Sequence, residues 1–334
     1  MMPAGGNASP RFRERFPWLG GDLQTIRNYL VPPRGTVLAR WPGRRLEFDT
    51  DDGTGDRLLG ALHVPDGSGA SPLVVLVHGL TGCEGSFYIL ETARHLLAAG
   101  RPVLRLNLRG AGPSRTACSG HYSAASSADI ALVLAALRTR HADLARNGIV
   151  LFGYSLGGSV VLKLLAETGG DEGVLCAAAI SAPIDLAATA RRMMARRNAI
   201  YHRWLLGRMK AEATAGAAAV TAREREALRA ARTVYGFDDG FVAPRNGFGG
   251  ADDYYARCSA TGLLHLIRTP TLLIHGRNDP WISAADYDAV RWADHPAVTT
   301  ALADGGGHVG FHGRDRETPW HNARLLDFIT ARAA

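Results

Sequence analysis

Cysteine is scarce in this 334-residue chain: Cys83, Cys118, Cys176 and Cys258 are the only four, far apart and without a C-x-x-C pair. Neither a disulfide framework nor a thiolate metal site is expected; reduced, packed thiols are. Apolar runs long enough to span a bilayer, about 18 residues or more, are also missing. The start, Met1–Pro10, is small and polar, and Arg11, Arg13 and Arg15 follow with no apolar segment behind them. That is not a signal-peptide pattern, so a cytoplasmic location is expected. Lysine is nearly absent. Lys163 and Lys210 are the only lysines, so arginine carries the net charge of +7. The arginines are interleaved with Asp and Glu, and there is no basic tail, aromatic-basic motif or zinc-finger spacing. No nucleic-acid partner is expected. Internal repeats and long low-complexity linkers are lacking too.

What remains is a globular composition, 46% hydrophobic and 21% charged. A chain this long can bury a large core, in one domain or in one domain carrying an insertion. An arm from Arg11 to Leu30, with Phe16-Pro17-Trp18-Leu19 and a short helical pattern, is expected to dock on that core. Two extended segments, Arg45–Thr50 and Arg57–Val64, flank Asp51-Asp52-Gly53-Thr54-Gly55 and predict a hairpin. Strand and helix patterns then alternate. Strands are expected at Leu73–Val77, Pro102–Leu106, Ile149–Phe152 and Val174–Ile180. Helices are expected at Phe87–Ala99, at Ser126–Arg140 behind a Ser cap with Asp129 in its first turn, and at Ser155–Glu167. The rhythm breaks from about Asp185 to about Ala260, where the chain is helical, basic and irregular and ends in a Gly/Asp/Tyr-rich loop, Gly236–Tyr255. It resumes with a strand at Thr271–His275, a helix at Ala284–Trp292, a strand at Val298–Ala303 and a helix at Trp320–Ala331. Such alternation implies a mainly parallel sheet with helices on both faces and ligands at the carboxyl ends of its strands.

The most informative stretch is Gly153-Tyr154-Ser155-Leu156-Gly157-Gly158, which follows the apolar run Ile149–Phe152 and opens a helix. A strand turning sharply into a helix lifts the side chain at the turn above the sheet edge and places it at a positive helix end. Gly-x-Ser-x-Gly alone recurs by chance; its placement between strand and helix makes Ser155 a candidate nucleophile. A serine hydroxyl needs a base, and the base needs a carboxylate to hold its tautomer. In this topology they follow in the order Ser, Asp, His. Asp279 lies in Gly276-Arg277-Asn278-Asp279-Pro280-Trp281 after one strand, and His308 in Asp304-Gly305-Gly306-Gly307-His308-Val309-Gly310 after the next. The three glycines are read as freedom for the loop that brings His308 inward. Asp185 is the rival acid and His312 the rival base. His308 and His312 would suit a metal only on a helix, which this glycine-rich context is not. Oxyanion donors are expected from the backbone N–H groups of Leu80, in His78-Gly79-Leu80-Thr81-Gly82, and of Leu156. His78 is read as structural, bonding within its loop. Cys83 and Trp281 are candidates for the pocket wall or for plain packing.

In order, His-Gly-Leu-x-Gly, Asn107-Leu108-Arg109-Gly110-Ala111-Gly112-x-Ser114, Gly-Tyr-Ser-Leu-Gly-Gly, Asn278-Asp279-Pro280 and Gly-Gly-His308-x-Gly-Phe311 resemble the α/β-hydrolase superfamily, in its YheT-like branch of esterases and lipases. Trp18-Leu19 with Leu23-Gln24-Thr25, and Tyr235-Gly236-Phe237 through Tyr254-Tyr255 to Ser259, resemble that branch too. The resemblance implies an α/β-hydrolase fold: a mostly parallel eight-stranded sheet, helices on both faces and a helical cap insertion. The resemblance covers about residues 12–334; with the break in rhythm read as an insertion, the expectation is one domain over residues 1–334, with a core of about 12–184 and 261–334 and a cap of 185–260, whose Arg- and Ala-rich sequence departs from the family pattern. The implied site is Ser155–Asp279–His308 with Leu80 and Leu156 as oxyanion donors, needing no metal or organic cofactor. The expected activity is carboxylic-ester hydrolysis through an acyl-enzyme on short- to medium-chain acyl or lipid esters. Acyl transfer by the same residues, or a non-catalytic ligand-binding relative, are the alternatives. The segment Arg191–Lys210 carries seven cations and no acid. It reads either as a basic amphipathic helix in weak contact with an anionic membrane surface or gripping an acidic substrate, or as a cap helix with its apolar face on the core and its charges solvated. Nothing in the sequence indicates an oligomeric state.

Overall fold

A computed structural model describes residues 11–31, 38–170, 173–314 and 317–332; the polar start Met1–Pro10 lies outside them. Eight strands form one sheet: β1 (Arg44–Asp49), β2 (Arg57–His63), β3 (Leu73–Val77), β4 (Val103–Leu106), β5 (Ile149–Tyr154), β6 (Val174–Ile180), β7 (Thr271–Gly276) and β8 (Val298–Ala303). Their spatial order is β1-β2-β4-β3-β5-β6-β7-β8. The hairpin β1–β2 and the β2–β4 pair are antiparallel, and the other pairs are parallel. Strands β3, β5 and β6 are apolar without alternation because both of their faces are covered; β4 is interrupted by the buried Arg105. Leu73, Val75 and Val77 point to one face, with helices α3 (Ser127–Arg140) and α4 (Leu156–Thr168). Val74 and Leu76 point to the other, with α2 (Phe87–Ala98) and α9 (Trp320–Thr330).

Between β6 and β7 run α5 (Leu186–Met194), α6 (Ala199–Ala213), α7 (Ala222–Ala230) and α8 (Ala251–Cys258), with shorter turns among them. Helices α5, α6 and α7 share an apolar cluster of Met193, Leu205, Leu206, Met209, Leu228, Val234, Phe237 and Phe241, whereas α8 packs Ala251, Tyr254, Tyr255 and Cys258 into the main core. The amino-terminal arm leads into α1 (Gly20–Leu30), which buries Gln24, Thr25 and Asn28.

Several local expectations change. The helix expected at Ala284–Trp292 stops at Asp288, and a separate short turn covers Trp292–Asp294. The stretch Gly236–Tyr255 is mostly short helices and includes a π-turn, Asp238–Val242. Burial of Phe237, Phe241, Tyr254 and Tyr255 overrides the loop-forming composition. Ser126 does not cap α3; its hydroxyl accepts the Ser123 N–H at 2.9 Å. Asp129 pairs with Arg109 at 2.6 Å instead of serving the helix end.

Candidate active site

Strand β5 delivers Ser155 at φ 50° and ψ −124°, and α4 begins at the next residue. That backbone is costly for a residue with a side chain, about 1–3 kcal/mol. The flanking glycines answer a different need, close approach. A Cβ on Gly153 would lie 2.4 Å from Gly157 O, and one on Gly157 would lie 2.3 Å from His78 O. Strand, helix and the His78 loop can meet at this turn only if those side chains are missing.

Three scattered side chains converge here. His308 Nε2 is 2.9 Å from Ser155 Oγ, and His308 Nδ1 is 3.0 Å from Asp279 Oδ2. The second carboxylate oxygen, Oδ1, accepts the N–H groups of Trp281 (2.8 Å) and Ile282 (3.1 Å). Burial alone would raise the Asp279 carboxyl; the His308 ring beside it outweighs that, with help from the Ile282 N–H, and holds it below the usual range. The indole of Trp281 stacks on the His308 ring at 4.3 Å. The rivals are engaged elsewhere. Asp185 accepts the Ala188 N–H and caps α5. His312 is pushed down to about 2 by burial, and its ring nitrogens have no hydrogen-bond partner among the described residues.

The loop carrying His308 is clamped rather than free, which corrects the reading of its glycines. Thr25 Oγ1 accepts the His308 N–H at 2.8 Å, Gln24 Oε1 accepts the His312 N–H at 2.7 Å, and Glu14 Oε1 accepts the Gly306 N–H at 2.9 Å. The loop lies so close to α1 that a Cβ on Gly307 would sit 2.3 Å from Gly21 O, and one on Gly310 would sit 2.2 Å from Gln24 O. Of the three glycines before His308, Gly306 alone has a positive φ. Val309 follows at φ 54°, and its N–H donates to Ser181 Oγ at 3.1 Å. Thr81 (φ 55°), Ser155, Ser181 (φ 49°) and Val309 thus bring left-handed, non-glycine backbone to one site.

Three consecutive amides form the loop after β3. Gly79 N–H donates to Tyr88 Oη at 2.9 Å, and Thr81 N–H donates to Tyr122 Oη at 2.7 Å. The Leu80 N–H between them, and the Leu156 N–H at the first position of α4, have no hydrogen-bond acceptor among the described residues. A Cβ on Gly79 would stand 2.9 Å from Ser155 Cβ, so this loop closes directly over the serine. His78 accepts the Leu108 N–H on Nε2, which leaves Nδ1–H to donate to Gly79 O at 2.8 Å; burial pushes it down to about 4. It is a fixed, neutral spacer. Asn107 and Arg109 are structural as well: Asn107 holds Glu84 and Leu59, and Arg109 pairs with Asp52, Asp56 and Asp129.

Ser155, His308, Leu80 and Leu156 all face a cavity with about 1090 Å³ of empty space, part of it open to solvent. Its wall is largely apolar: Leu186, Ala190, Met193, Leu205, Met209, Val234, Phe237 and Phe241 come from the segment between β6 and β7. Trp281 lines it; Cys83 is absent from this wall and borders a neighbouring surface cavity. Two acids also line it. Glu212 and Asp238 are each pushed up to about 7 by burial, against hydrogen bonds from Tyr122 Oη (3.0 Å) and Tyr255 Oη (2.6 Å). A smaller aromatic passage beside Ser155 is lined by Tyr29, Phe87, Tyr88 and Trp204. No group of three or more His, Cys, Asp or Glu among the described residues is arranged to hold a metal ion. No helix among them is long and apolar enough to cross a membrane. Part of the basic stretch is engaged within the fold. Arg192 donates to Asp279 O and Pro280 O, Arg197 pairs with Asp22, and Arg208 donates to Thr81.

Thr25, Gln24, Ser181, Arg192 and Glu14 support the site without belonging to its chemical motifs. For Gln24 and Thr25 a signal existed, since they lie in the Leu23-Gln24-Thr25 motif and are polar on the inner side of a helix. Comparison with known proteins bears on the whole. A family described as the alpha/beta hydrolase fold matches residues 72–315. "Putative esterase YheT" of Escherichia coli is 32% identical over 266 residues, covering 78% of this chain and 76% of the relative. The yeast "Medium-chain fatty acid ethyl ester synthase/esterase 2" is 26% identical over 288 residues, covering 78% of this chain and 62% of the relative. A Pyrococcus furiosus esterase structure superposes with a TM-score of 0.64 at 19% identity, covering 91% of this chain and 96% of that one, and supports the fold. By these matches the chain belongs to the α/β-hydrolase superfamily, in its YheT-like branch of carboxylic ester hydrolases.

Proposed function

We propose that this enzyme hydrolyses acyl esters through a covalent intermediate on Ser155, with residues 185–260 acting as a cap over the acyl pocket. The observation that carries the reading is the hydrogen-bonded chain Asp279–His308–Ser155, at 3.0 and 2.9 Å, opening into an apolar cavity. Ser155 Oγ attacks the ester carbonyl while His308 Nε2 takes its proton. The carbonyl oxygen becomes an oxyanion between the Leu80 and Leu156 N–H groups. Collapse expels the alcohol, which receives the proton from His308 and leaves an acyl ester on Ser155. Water then attacks with its proton going to His308, the acid departs and Ser155 regains its hydrogen. Asp279 stays ionised and steadies the imidazolium.

The large cavity suits an acyl chain because its lining is apolar and contiguous with Ser155. Short- to medium-chain acyl or lipid esters are the substrates we infer. The yeast relative's name covers both synthesis and cleavage of ethyl esters, so transfer of the acyl group to an alcohol is the second reading. Chromogenic esters of increasing chain length test the first, with Ser155→Ala as control. Turnover should vanish in that variant, and retained turnover would overturn the assignment. Added alcohol that diverts product from acid to new ester would favour transfer.

A further inference from the structure

We propose that one face of α6 sets the geometry of the oxyanion loop, with Tyr122, Glu212 and Arg208 as positioning residues for the Leu80 N–H. This rests on the reading of Leu80 as an oxyanion donor given above. The two amides flanking Leu80 are each tied to a tyrosine hydroxyl, and the one between them is left for substrate. A hydroxyl that must accept the Thr81 N–H needs its own proton directed elsewhere. The Tyr122 proton goes to Glu212 Oε2 at 3.0 Å. Without that acceptor Tyr122 Oη can turn, and Thr81 loses the bond that holds its φ of 55°, a strained value for a β-branched residue.

Arg208 grips the same residue from its other side. Nη2 donates to Thr81 O at 3.0 Å and Nε to Thr81 Oγ1 at 3.2 Å, while the guanidinium lies over the Trp204 ring at 5.2 Å. Trp204 packs on Trp281 at 6.3 Å, and Trp281 stacks on His308. Residues 204, 208 and 212 are four apart, so one stripe of α6 reaches both the oxyanion loop and the base. Removal of the segment that lines the acyl pocket therefore also removes the support of the catalytic backbone.

The test compares Tyr122→Phe, Glu212→Ala, Glu212→Gln, Arg208→Ala and Arg208→Lys with the parent and Ser155→Ala. The substrate is a short-chain nitrophenyl ester that does not fill the cavity. A trifluoromethyl ketone reports on the oxyanion site, because its adduct with Ser155 places an oxygen there. Tyr122→Phe and Glu212→Ala should lower kcat by about tenfold and Arg208→Ala by roughly fivefold. KM should stay within about twofold, since the lost interaction serves the transition state. The inhibition constant of the ketone should rise by the same factor as kcat falls. Glu212→Gln keeps an acceptor for Tyr122 and should stay near the parent. Variants that fold and keep full kcat would overturn the proposal, as would a lower kcat with unchanged ketone affinity. If Tyr122→Phe does not fold, the Glu212→Ala and Glu212→Gln pair decides alone. Activity in Ser155→Ala would sink the underlying reading instead.

Discussion

Replacing Thr25 with valine removes one hydroxyl and leaves the side-chain shape nearly intact. That hydroxyl accepts the His308 N–H at 2.8 Å and donates to Gly21 O at 2.7 Å. Thr25 is 3% exposed, so its hydroxyl is largely shielded from bulk solvent. A buried polar group left unpaired costs about 1–3 kcal/mol. If the loop holds its position, the whole fold loses that energy, about 2 °C of Tm per kcal/mol in a domain of this size. If the loop relaxes, the loss appears as molecules whose base is out of line. Relaxation should dominate, because Val309 sits at φ 54° and moving it recovers strain. Thr25→Val should then lower kcat about 5- to 150-fold, the equivalent of 1–3 kcal/mol, with Tm within about 2 °C of the parent. The assay is steady-state turnover of a short chromogenic ester beside a thermal melt, with Thr25→Ser as the variant that keeps the hydroxyl. Thr25→Ser should recover most of kcat. A Thr25→Val enzyme as active and as stable as the parent would refute the clamp, and full kcat with a lowered Tm would refute the relaxation.

Four other outcomes follow from the geometry. Asp279→Asn should lower kcat by about 10⁴-fold with little change in Tm, because the amide cannot hold the working tautomer of His308; steady-state kinetics and a melt check both. Gly79→Ala should cut kcat by about tenfold or more, since the new Cβ would stand 2.9 Å from Ser155 Cβ and must displace the oxyanion loop; ketone inhibition should weaken in parallel. Trp281→Leu should lower kcat only a few-fold, because a ring stack is worth about 0.5–1.5 kcal/mol; a loss as large as that of Asp279→Asn would mean Trp281 does more than steady His308. Asp238 is raised by burial from the ordinary range to about 7. The folded state therefore holds its proton more tightly, and stability is greatest below about pH 4 for this group and is lost as pH rises towards 7. Asp238→Asn should flatten that part of the profile, a difference of up to about 4 kcal/mol between pH 4 and 8; denaturant melts at both pH values that run parallel to the parent would contradict it.

Much of this was readable in the chain before any coordinates. Strands β3, β5 and β6 announce themselves because both faces are covered, so their sequences are unbroken runs such as Leu73–Val77. Ser155, Asp279 and His308 were legible because each follows a strand and carries chemistry a loop does not need for its own folding. The structure also sorts the rivals: Asp185 is used up by a helix start, and His312 is too deeply buried to charge. Less readable were contacts between distant segments. Nothing local in Gly305-Gly306-Gly307 tells flexibility from tight packing against α1; that depends on what lies opposite. Nor does a run of arginines disclose that Arg192 and Arg208 are spent on backbone carbonyls of the site. The stretch Gly236–Tyr255 reads as a loop by composition and folds otherwise, because its aromatics find a core that periodicity cannot display.

The bond between Thr25 and His308 spans 283 positions of sequence. During synthesis α1 emerges well before β8, so this contact closes only after most of the sheet has been made. Until β8 has left the ribosome and joined the sheet, the Ser155 turn lacks its hydrogen-bond partner His308. Contacts of such long range slow folding. On the acyl-enzyme reading proposed above, the site is therefore assembled only after β8 has been made.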